Sequence, residues 1–203
     1  MKLLGFDLST HRGTIALVNG DNVLCSRDWP NDRRNSAPFF SVLNEIICEH
    51  GAPKAIVVGL GPGSYTGTRI AISAAIGLQA TTGAALTGFS SLSGISEENE
   101  YAVIGDAKRA SFFFATISGG LFATEPDLLS QNEMSERISS NTAISIYTSD
   151  DLPQFPTVQP RFPSARLLCL RAQRFPQNLA RAPLAPIYLR EPHITTPQPA
   201  QKG

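Results

Sequence analysis

The sequence predicts an α/β protein, and three observations on its first half carry this prediction. Three apolar runs separated by turn signals indicate an antiparallel meander, in which the pair Asn19 and Gly20 is typical of a hairpin turn. The continuous apolar run Ala55–Leu60 is typical of a strand buried on both faces. The helix predicted before it, Ser36–His50, makes a crossover, so this strand is expected to run parallel to a strand of the meander.

The elements of this first unit follow from local signals. In the first helix, Ser36 can serve as the N-cap, Pro38 lies in the first turn and Gly51 ends the helix. Apolar side chains then recur at helical spacing. A glycine-rich loop and a second helix, Thr66–Thr82, follow the buried strand. The meander strands are predicted at Leu3–Ser9, Gly13–Val18 and Val23–Trp29.

A second unit is predicted from Tyr101 onward, so we divide the chain into residues 1–98 and 99–203. The run YAVIGD and the segment Ser111–Ser118 indicate two strands around the turn AKRA, and Ala143–Thr148 indicates another. Ser164–Phe175 has the pattern of an amphipathic helix. The proline-rich segment Arg181–Gly203 is expected to lie extended along the surface or to be disordered at its end.

Composition favours a soluble, cytoplasmic protein with no membrane contact. The chain has 203 residues and no net charge, so no overall field recruits nucleic acid. Its three cysteines show no C-x-x-C spacing, which fits a reducing compartment. The apolar start is too short for a signal peptide, and Ile70–Leu86 is too polar to span a bilayer. The segment 151–203 is locally basic, which fits either solubility or contact with RNA.

The glycine-rich loop GLGPGSYTGTR is the strongest candidate for chemistry. It lacks the lysine of a Walker A loop and matches neither G-x-S-x-G nor G-x-G-x-x-G. Its glycines permit backbone torsions that other residues resist. The free amides at the start of the following helix can attract an anion. Alternatively, Ser64 or Thr66 caps the helix and the loop holds no ligand. Acidic and hydroxyl side chains also lie at the ends of two predicted strands, and we group them with the residues of the loop. The phosphate-loop-like residues are Asp7, Ser9, Thr10, Gly61, Gly63, Ser64, Thr66 and Asp106.

The chain offers few candidates for catalysis. His11, His50 and His193 are scattered, without H-x-x-x-H spacing or a nearby carboxylate set, so no metal site is predicted. No nucleophile–base pair stands out, and no catalytic residue is predicted. The uncharged segment Ile70–Leu86 is the unusual feature, because a helix that is apolar all round must be covered all round. The cover is either the rest of the fold or a partner helix.

Four motifs resemble the TsaB (YeaZ) family, whose members are partner subunits in making threonylcarbamoyladenosine on tRNA. They are GFDLST, GPGSYTGTRI, DAKRASFFFATI and PIYLR, in the order that the family shows. The sequence departs from the family pattern at Tyr65, Thr68 and Ala71, and at RRNSAPFF in the first helix, where the family usually has a His-Ser pair.

The resemblance implies an actin/Hsp70-like ATPase (ASKHA) fold of two related lobes with mixed β-sheets flanked by helices. It further implies a subunit that is not the catalyst and has no protease activity. A TsaD-type paralogue carries the metal and transfers the threonylcarbamoyl group to an adenosine next to the anticodon. A TsaE-type ATPase joins the complex, and tRNA is contacted indirectly. No cofactor is expected for the isolated chain, although ATP or ADP at an interface shared with the partner is compatible with the loop.

Docking in such a complex is expected to use the first two helices, which also serve for homodimers in the family. The predicted interface residues are Phe40, Leu43, Ile47, Arg69, Ile72, Ala75, Ile76 and Gln79. The alternative function is an ATPase or small-molecule kinase of the actin-like superfamily that uses Asp7, Ser9, Thr10 and Asp106 around a metal nucleotide.

Overall fold

The computed structural model describes residues 1–32, 35–178 and 184–189, and it contains two mixed β-sheets with helices packed against them. The elements of the first lobe are β1 (Lys2–Asp7), β2 (Arg12–Asn19), β3 (Asn22–Pro30), α1 (Ala37–His50), β4 (Ala55–Gly59), α2 (Tyr65–Thr82) and β5 (Ala85–Phe89). The elements that follow are β6 (Glu100–Asp106), β7 (Phe112–Ser118), β8 (Leu121–Phe122), β9 (Asp127–Leu129), α3 (Gln131–Ser140), β10 (Ser145–Thr148), β11 (Gln159–Pro160) and α4 (Ala165–Arg174). Short 3-10 turns lie at Ser91–Gly94 and Pro176–Asn178.

The first sheet has the strand order β3-β2-β1-β4-β5. Strands β1, β2 and β3 form the predicted antiparallel meander. Strand β4 pairs with β1 in parallel, and β5 pairs with β4 in parallel. The crossover through α1 is therefore confirmed, and it places the ends of β1 and β4 side by side at one edge of the sheet.

Both faces of this sheet are covered, because alternate residues of β1 and β4 enter different cores. Leu4 and Phe6 of β1 pack with Ile56 and Val58 of β4 on the face that α1 and α2 cover. The intervening residues, such as Leu3, pack against α4 on the opposite face. This alternation follows from the two-residue period of a strand and explains why β4 and the middle of β1 are continuously apolar.

The second sheet repeats the pairing of the first in shorter form, with the order β11-β10-β6-β7-β8 and with β9 also on β7. Strands β6 and β7 are antiparallel, whereas β10 is parallel to β6, as β4 is to β1. Asp7 ends β1 and Asp106 ends β6, so the acidic residues occupy equivalent places in the two sheets. Between β10 and β11 there is a short irregular connection where the first lobe has α2. The two related lobes with mixed sheets and flanking helices define an ASKHA-like fold.

Ten of the predicted elements are confirmed, with ends that differ by at most two residues. Strands β5, β8, β9 and β11 and helix α3 were not predicted. The predicted C-terminal helix exists as α4, but it packs on β1, β2 and β4 of the first sheet although it lies in the predicted second domain. The division at residue 98 therefore stays a prediction. The proline-rich segment lies outside the described residues except for 184–189. Among the described helices, none combines the length and apolar character that crossing a bilayer requires.

Candidate functional site

A cleft of about 370 Å³ lies between the two sheets, and residues from both lobes line it. The β1–β2 turn and the glycine loop form one wall, and the β6–β7 turn forms the other. Five of the phosphate-loop-like residues predicted from the sequence line this cleft. These residues are Ser9, Thr10, Gly63, Ser64 and Asp106. Asp7, Gly61 and Thr66 are outside the cleft lining, so the structure brings together part of the predicted set.

The glycine loop packs tightly against the β1–β2 turn. Gly63 has φ 153°, and a Cβ atom there would lie 2.2 Å from the carbonyl oxygen of Ser9. The amide of Ser64 donates to that same carbonyl at 2.6 Å. The Ser64 hydroxyl in turn accepts a hydrogen bond from the amide of Gly67 at 3.2 Å, so Ser64 is the N-cap of α2. Glycine is needed at position 63 because the two backbones touch.

Several amides of the loop are therefore used inside the chain. The amide of Gly61 donates to the Ser91 hydroxyl at 2.8 Å, in addition to the bonds made by the amides of Ser64 and Gly67. A phosphate-binding loop needs its amide groups free to face the anion. The observed bonds fit a loop that starts α2 and holds the β1–β2 turn in place.

Asp7 is fully buried beneath the loop. Its Oδ1 atom accepts hydrogen bonds from the amide and the hydroxyl of Ser9 at 2.7 and 2.6 Å. Its Oδ2 atom has no hydrogen-bond partner in the described part of the chain, and it lies where a Cβ at Gly59 would be. Burial raises the pKa of Asp7, and the hydrogen bonds of Ser9 and the nearby Ser91 hydroxyl oppose this increase. Asp7 therefore lies behind the residues that line the cleft and is shielded from a ligand inside it.

The raised pKa of Asp7 makes a testable prediction about stability and pH. Between the ordinary value of 3.8 and its raised value, the folded chain binds more protons at Asp7 than the unfolded chain does. The free energy of unfolding therefore falls as the pH rises through this window. Asp7→Asn keeps an oxygen acceptor for Ser9 and removes the charge, so we expect a higher melting temperature than the wild type at pH 7. The advantage should shrink as the pH falls through this window and should be gone below 3.8.

Thermal melts between pH 3 and pH 8 measure this effect, and Asp21→Asn in the exposed β2–β3 turn is the control for loss of a carboxylate. A melting temperature of Asp7→Asn below that of the wild type at pH 7 would mean that the buried carboxylate has a stabilising partner.

The opposite wall of the cleft carries both signs of charge. Asp106 forms an ion pair with Lys108 at 2.6 Å, and hydrogen bonding from Lys108 lowers the pKa of Asp106 despite partial burial. The amide of Asp106 donates to Asp150 at 2.8 Å. Two carboxylates and one ammonium group therefore line this wall. Such a lining gives no net positive potential to hold a polyphosphate.

The predicted interface residues fall into two groups on α1 and α2. Phe40, Arg69 and Ile76 are exposed, and three others are partly buried: Leu43, Ile47 and Gln79. Ile72 and Ala75, by contrast, lie in the core of the first lobe, with exposed fractions of 7% and 0%. These two residues face the sheet, and the outer face of α2 presents Arg69, Ser73 and Ile76 instead. Beyond Arg69 this helix has no charged side chain, so its pattern does not indicate which face is exposed.

The outer face of α2 and the start of α1 form a shallow apolar groove, which we call the docking surface. Phe40 and Tyr65 are about half exposed, at 46% and 50%, and Ile76 one turn beyond Ser73 is 49% exposed. Arg69 is the only charged side chain on α2. Large apolar side chains concentrated in this way on the surface of a domain are typical of an interaction site. The groove is lined by Phe40, Tyr65, Thr66, Arg69, Ile70 and Ser73.

The segment 184–189 connects the docking surface to the cleft. The amide of Ile187 donates to the carbonyl of Leu60 at 2.8 Å, and the Tyr188 ring stacks on Tyr65 with 5.5 Å between ring centroids. Ile187, Tyr188 and Leu189 also line the cleft. In the sequence, PIYLR serves only as one of the four family-like motifs, and no role is predicted for Tyr188. Its contacts lie far away in sequence, so no local signal could have found it.

The described residues contain no cluster of three or more His, Cys, Asp or Glu side chains that could hold a metal ion. His11 contacts Phe162 edge to face, and His50 ends α1. His193 lies outside the described residues.

Comparison with known proteins agrees with this architecture. A family model described as "TsaD: tRNA N6-adenosine threonylcarbamoyltransferase" matches residues 39–121. A Pseudomonas aeruginosa structure described as similar to the peptidase YeaZ has 22% identity and a TM-score of 0.73, and the match covers 93% of this chain and 99% of that one. YeaZ from Pseudomonas aeruginosa has 22% identity and a TM-score of 0.71 with the same coverage. No curated protein matches the sequence.

The chain thus has a two-lobe fold of the actin-like type. Within that type it has the fold of the YeaZ-type proteins over nearly its whole length. The family match lies across α1, α2 and the start of the second lobe, and it relates the chain through sequence to a family named for tRNA modification.

Proposed function

We propose that this chain is a non-catalytic subunit that binds and activates a TsaD-type transferase in the N6-threonylcarbamoyladenosine modification of tRNA. The observation that carries the proposal is the docking surface, where exposed Phe40, Tyr65 and Ile76 lie on and beside an outer face of α2 whose one charged side chain is Arg69. Burial of such side chains against a partner contributes about 25 cal/mol per Å² of apolar area removed from water. The family-level relationship to tRNA modification supports the choice of partner.

A paralogous partner suits this surface for a structural reason. The residues that match the transferase family, 39–121, include nearly all of α1 and the whole of α2. Two related chains can therefore bring equivalent helices together around an approximate two-fold axis, as two copies do in an isologous interface. A homodimer through the same surface would compete with this complex, and a TsaE-type ATPase and tRNA would join at other places.

Ile76→Glu tests the proposal at the outer face of α2. Ile76 is exposed in the isolated chain, so the variant is expected to fold normally, whereas Ala75→Glu would place a carboxylate in the core. On docking, the new carboxylate would be buried without a partner, which costs several kcal/mol. We expect co-expression with the TsaD-type paralogue of the same organism to give a one-to-one complex for the wild type, and affinity reduced by about 100-fold or more for Ile76→Glu.

Leu121→Glu is the matched control, because Leu121 is similarly exposed but lies on β8 of the second lobe. Size-exclusion chromatography with light scattering gives the stoichiometry, and calorimetry gives the affinity. Transferase activity of the paralogue with and without the chain then tests activation. If a folded Ile76→Glu variant binds the paralogue with the affinity of the wild type, the outer face of α2 is not part of the interface.

The alternative is an ATPase or kinase that uses the cleft, and the meeting of Ser9, Thr10, Gly63, Ser64 and Asp106 there is the observation that favours it. The burial of Asp7 and the carboxylates of Asp106 and Asp150 weigh against a bound nucleotide. Tight binding of ATP or ADP by the isolated chain, lost in Asp7→Ala, would support the alternative. ATP or ADP at an interface shared with the partner would instead require the complex for binding.

A further inference from the structure

Arg69 is fixed in the docking surface by two aromatic side chains. Its guanidinium carbon lies 4.3 Å from the centroid of the Tyr65 ring, one helical turn earlier on α2. Its Nε atom donates a hydrogen bond to the Tyr188 hydroxyl at 3.1 Å. Tyr188 itself stacks on Tyr65 with an interplanar angle of 24°. We call these three side chains, Tyr65, Arg69 and Tyr188, the arginine clamp.

The clamp is attached to both lobes through the segment 184–189. Leu184 packs against the core of the first lobe, and Leu189 packs against the core that contains Leu92 and Tyr101. The amide of Ile187 between them is bonded to the carbonyl of Leu60. Tyr188 is therefore held by the fold on both sides, so the orientation of the Arg69 side chain is set before any partner arrives. Preorganisation of this kind reduces the entropy cost of binding.

The clamp leaves the ends of the guanidinium group without a partner. Within the described residues, Nη1 and Nη2 of Arg69 make no hydrogen bond or ion pair. They lie in a groove whose other members are Phe40, Ile70 and small polar side chains. If a partner covers this groove with apolar atoms alone, it buries an unpaired cation, which is strongly unfavourable. A carboxylate matches the two remaining amino groups in charge and in planar geometry.

We propose that the partner of this surface inserts a carboxylate that pairs with Arg69, and that Tyr188 is a positioning residue for this ion pair. The inference rests on the proposed function and deepens it, because it states the chemistry that the TsaD-type partner presents: one Asp or Glu side chain set among apolar residues. The C-terminal segment, which belongs to neither docking helix, is then part of the interface.

Affinity measurements with the TsaD-type paralogue of the same organism test this inference. By calorimetry at two salt concentrations, Arg69→Gln is expected to raise Kd by about 10-fold or more and to reduce the salt dependence of binding. Arg69→Lys is expected to restore little, because an ammonium group does not reproduce the planar two-point contact. Tyr188→Phe keeps the stacking and loses the acceptor for Nε, so a smaller increase in Kd is expected.

Arg27→Gln is the matched control, since it removes an exposed positive charge from β3 and should leave Kd unchanged. Circular dichroism and thermal melts of each variant separate a loss of contact from a loss of fold. A charge reversal gives a positive test: the defect of Arg69→Glu should be rescued by one Asp or Glu to Lys substitution in the partner.

The outcomes separate the inference from the proposed function. If the wild-type complex forms and Arg69→Gln binds with unchanged Kd and salt dependence, the carboxylate pairing is wrong and the docking function stands. If the wild-type chain does not bind the paralogue, both the carboxylate pairing and the proposed docking function are wrong. If sedimentation shows a homodimer of this chain that depends on Arg69 and no complex with the paralogue, the occupant of the surface is a second copy and the inference is overturned.

Discussion

Arg171→Met is expected to lower the free energy of unfolding by about 3 kcal/mol, one of the two largest effects that we predict. Arg171 lies on α4 and is only 3% exposed. Its Nε atom donates to the carbonyl of Ser93 at 3.3 Å, and its Nη2 atom donates to the carbonyl of Ser96 at 2.9 Å. Methionine fills much of the same volume but leaves both buried carbonyls without these donors.

The contacts of Arg171 explain why a buried cation without a carboxylate is tolerated at this position. The two carbonyls lie in and just after the 3-10 turn at Ser91–Gly94, where peptide dipoles present their negative ends. Gly120 allows the side chain to pass, since a Cβ there would lie 2.5 Å from its Cδ atom. Arg171 thus ties α4 to the connection between the lobes and to the β7–β8 turn.

Tyr101 provides a spectroscopic readout of the same interaction. Burial raises the pKa of Tyr101 to about 12, and the positive charge of Arg171 partly opposes this increase. Removing the charge should raise the pKa of Tyr101 further. In a tyrosine absorbance titration, Tyr101 should therefore ionise at a higher pH in Arg171→Met than in the wild type.

Arg166→Met is the control for Arg171→Met, because Arg166 is on the same helix and pairs with Glu97 at the surface. Partly exposed ion pairs contribute about 0 to 1 kcal/mol, so a small change is expected. Denaturant unfolding measures both variants. An equal loss of stability in the two would mean that the buried carbonyl contacts contribute no more than a surface pair.

Much of the fold could be predicted because alternation and helical spacing are local signals. Strand β4 is apolar throughout and β1 is apolar between Lys2 and Asp7, since both faces of the first sheet are covered. This pattern is visible without knowledge of the partner strands. The crossover through α1 then gave the parallel pairing. The shared place of Asp7 and Asp106 at strand ends also followed from the sequence, and the pairing of the two sheets agrees with it.

Helix α3 and strand β5 were not predicted because their sequence signals are weak or were not used. Helix α3 is largely polar and buries only Met134, so it lacks a clear apolar face. Its capping box, formed by Ser130 and Glu133, was the signal that could have revealed it. Strand β5 is short and contains Gly88, where a side chain would collide with Leu60. Neither element has the length that makes periodicity decisive.

The functional surface was predicted less well than the fold because it depends on contacts between distant segments. Helix α2 has a single charged residue, so its sequence does not indicate which face is exposed. The prediction that Ile72 and Ala75 lie in the interface is therefore wrong, because both lie in the core. Arg69 and Tyr188 are 119 positions apart, and only the tertiary structure brings them together. Arg171, on a helix predicted as amphipathic, gave no sign that its charge is buried.

Gly67→Ala is expected to destabilise the chain by roughly 3 kcal/mol, the second of the largest effects. Gly67 lies in the first turn of α2, and a Cβ there would stand 2.0 Å from the carbonyl oxygen of Leu8. The atom in the way belongs to the backbone next to the β1–β2 turn, so it cannot rotate aside as a flexible side chain would. The start of α2 must move away from β1, which also weakens the capping bond from Gly67 to Ser64.

Gly77→Ala on the same helix is the matched control, and its expected effect has the opposite sign. Position 77 is exposed, and nothing lies within 4 Å of a Cβ built there. Alanine in the interior of a helix is favoured over glycine by about 1 kcal/mol, so this variant should be more stable than the wild type. Chemical unfolding of the isolated chain measures both changes. Stabilisation by both substitutions would show that α2 is not anchored on the β1–β2 turn at Gly67, and the preorganised docking surface would lose its structural basis.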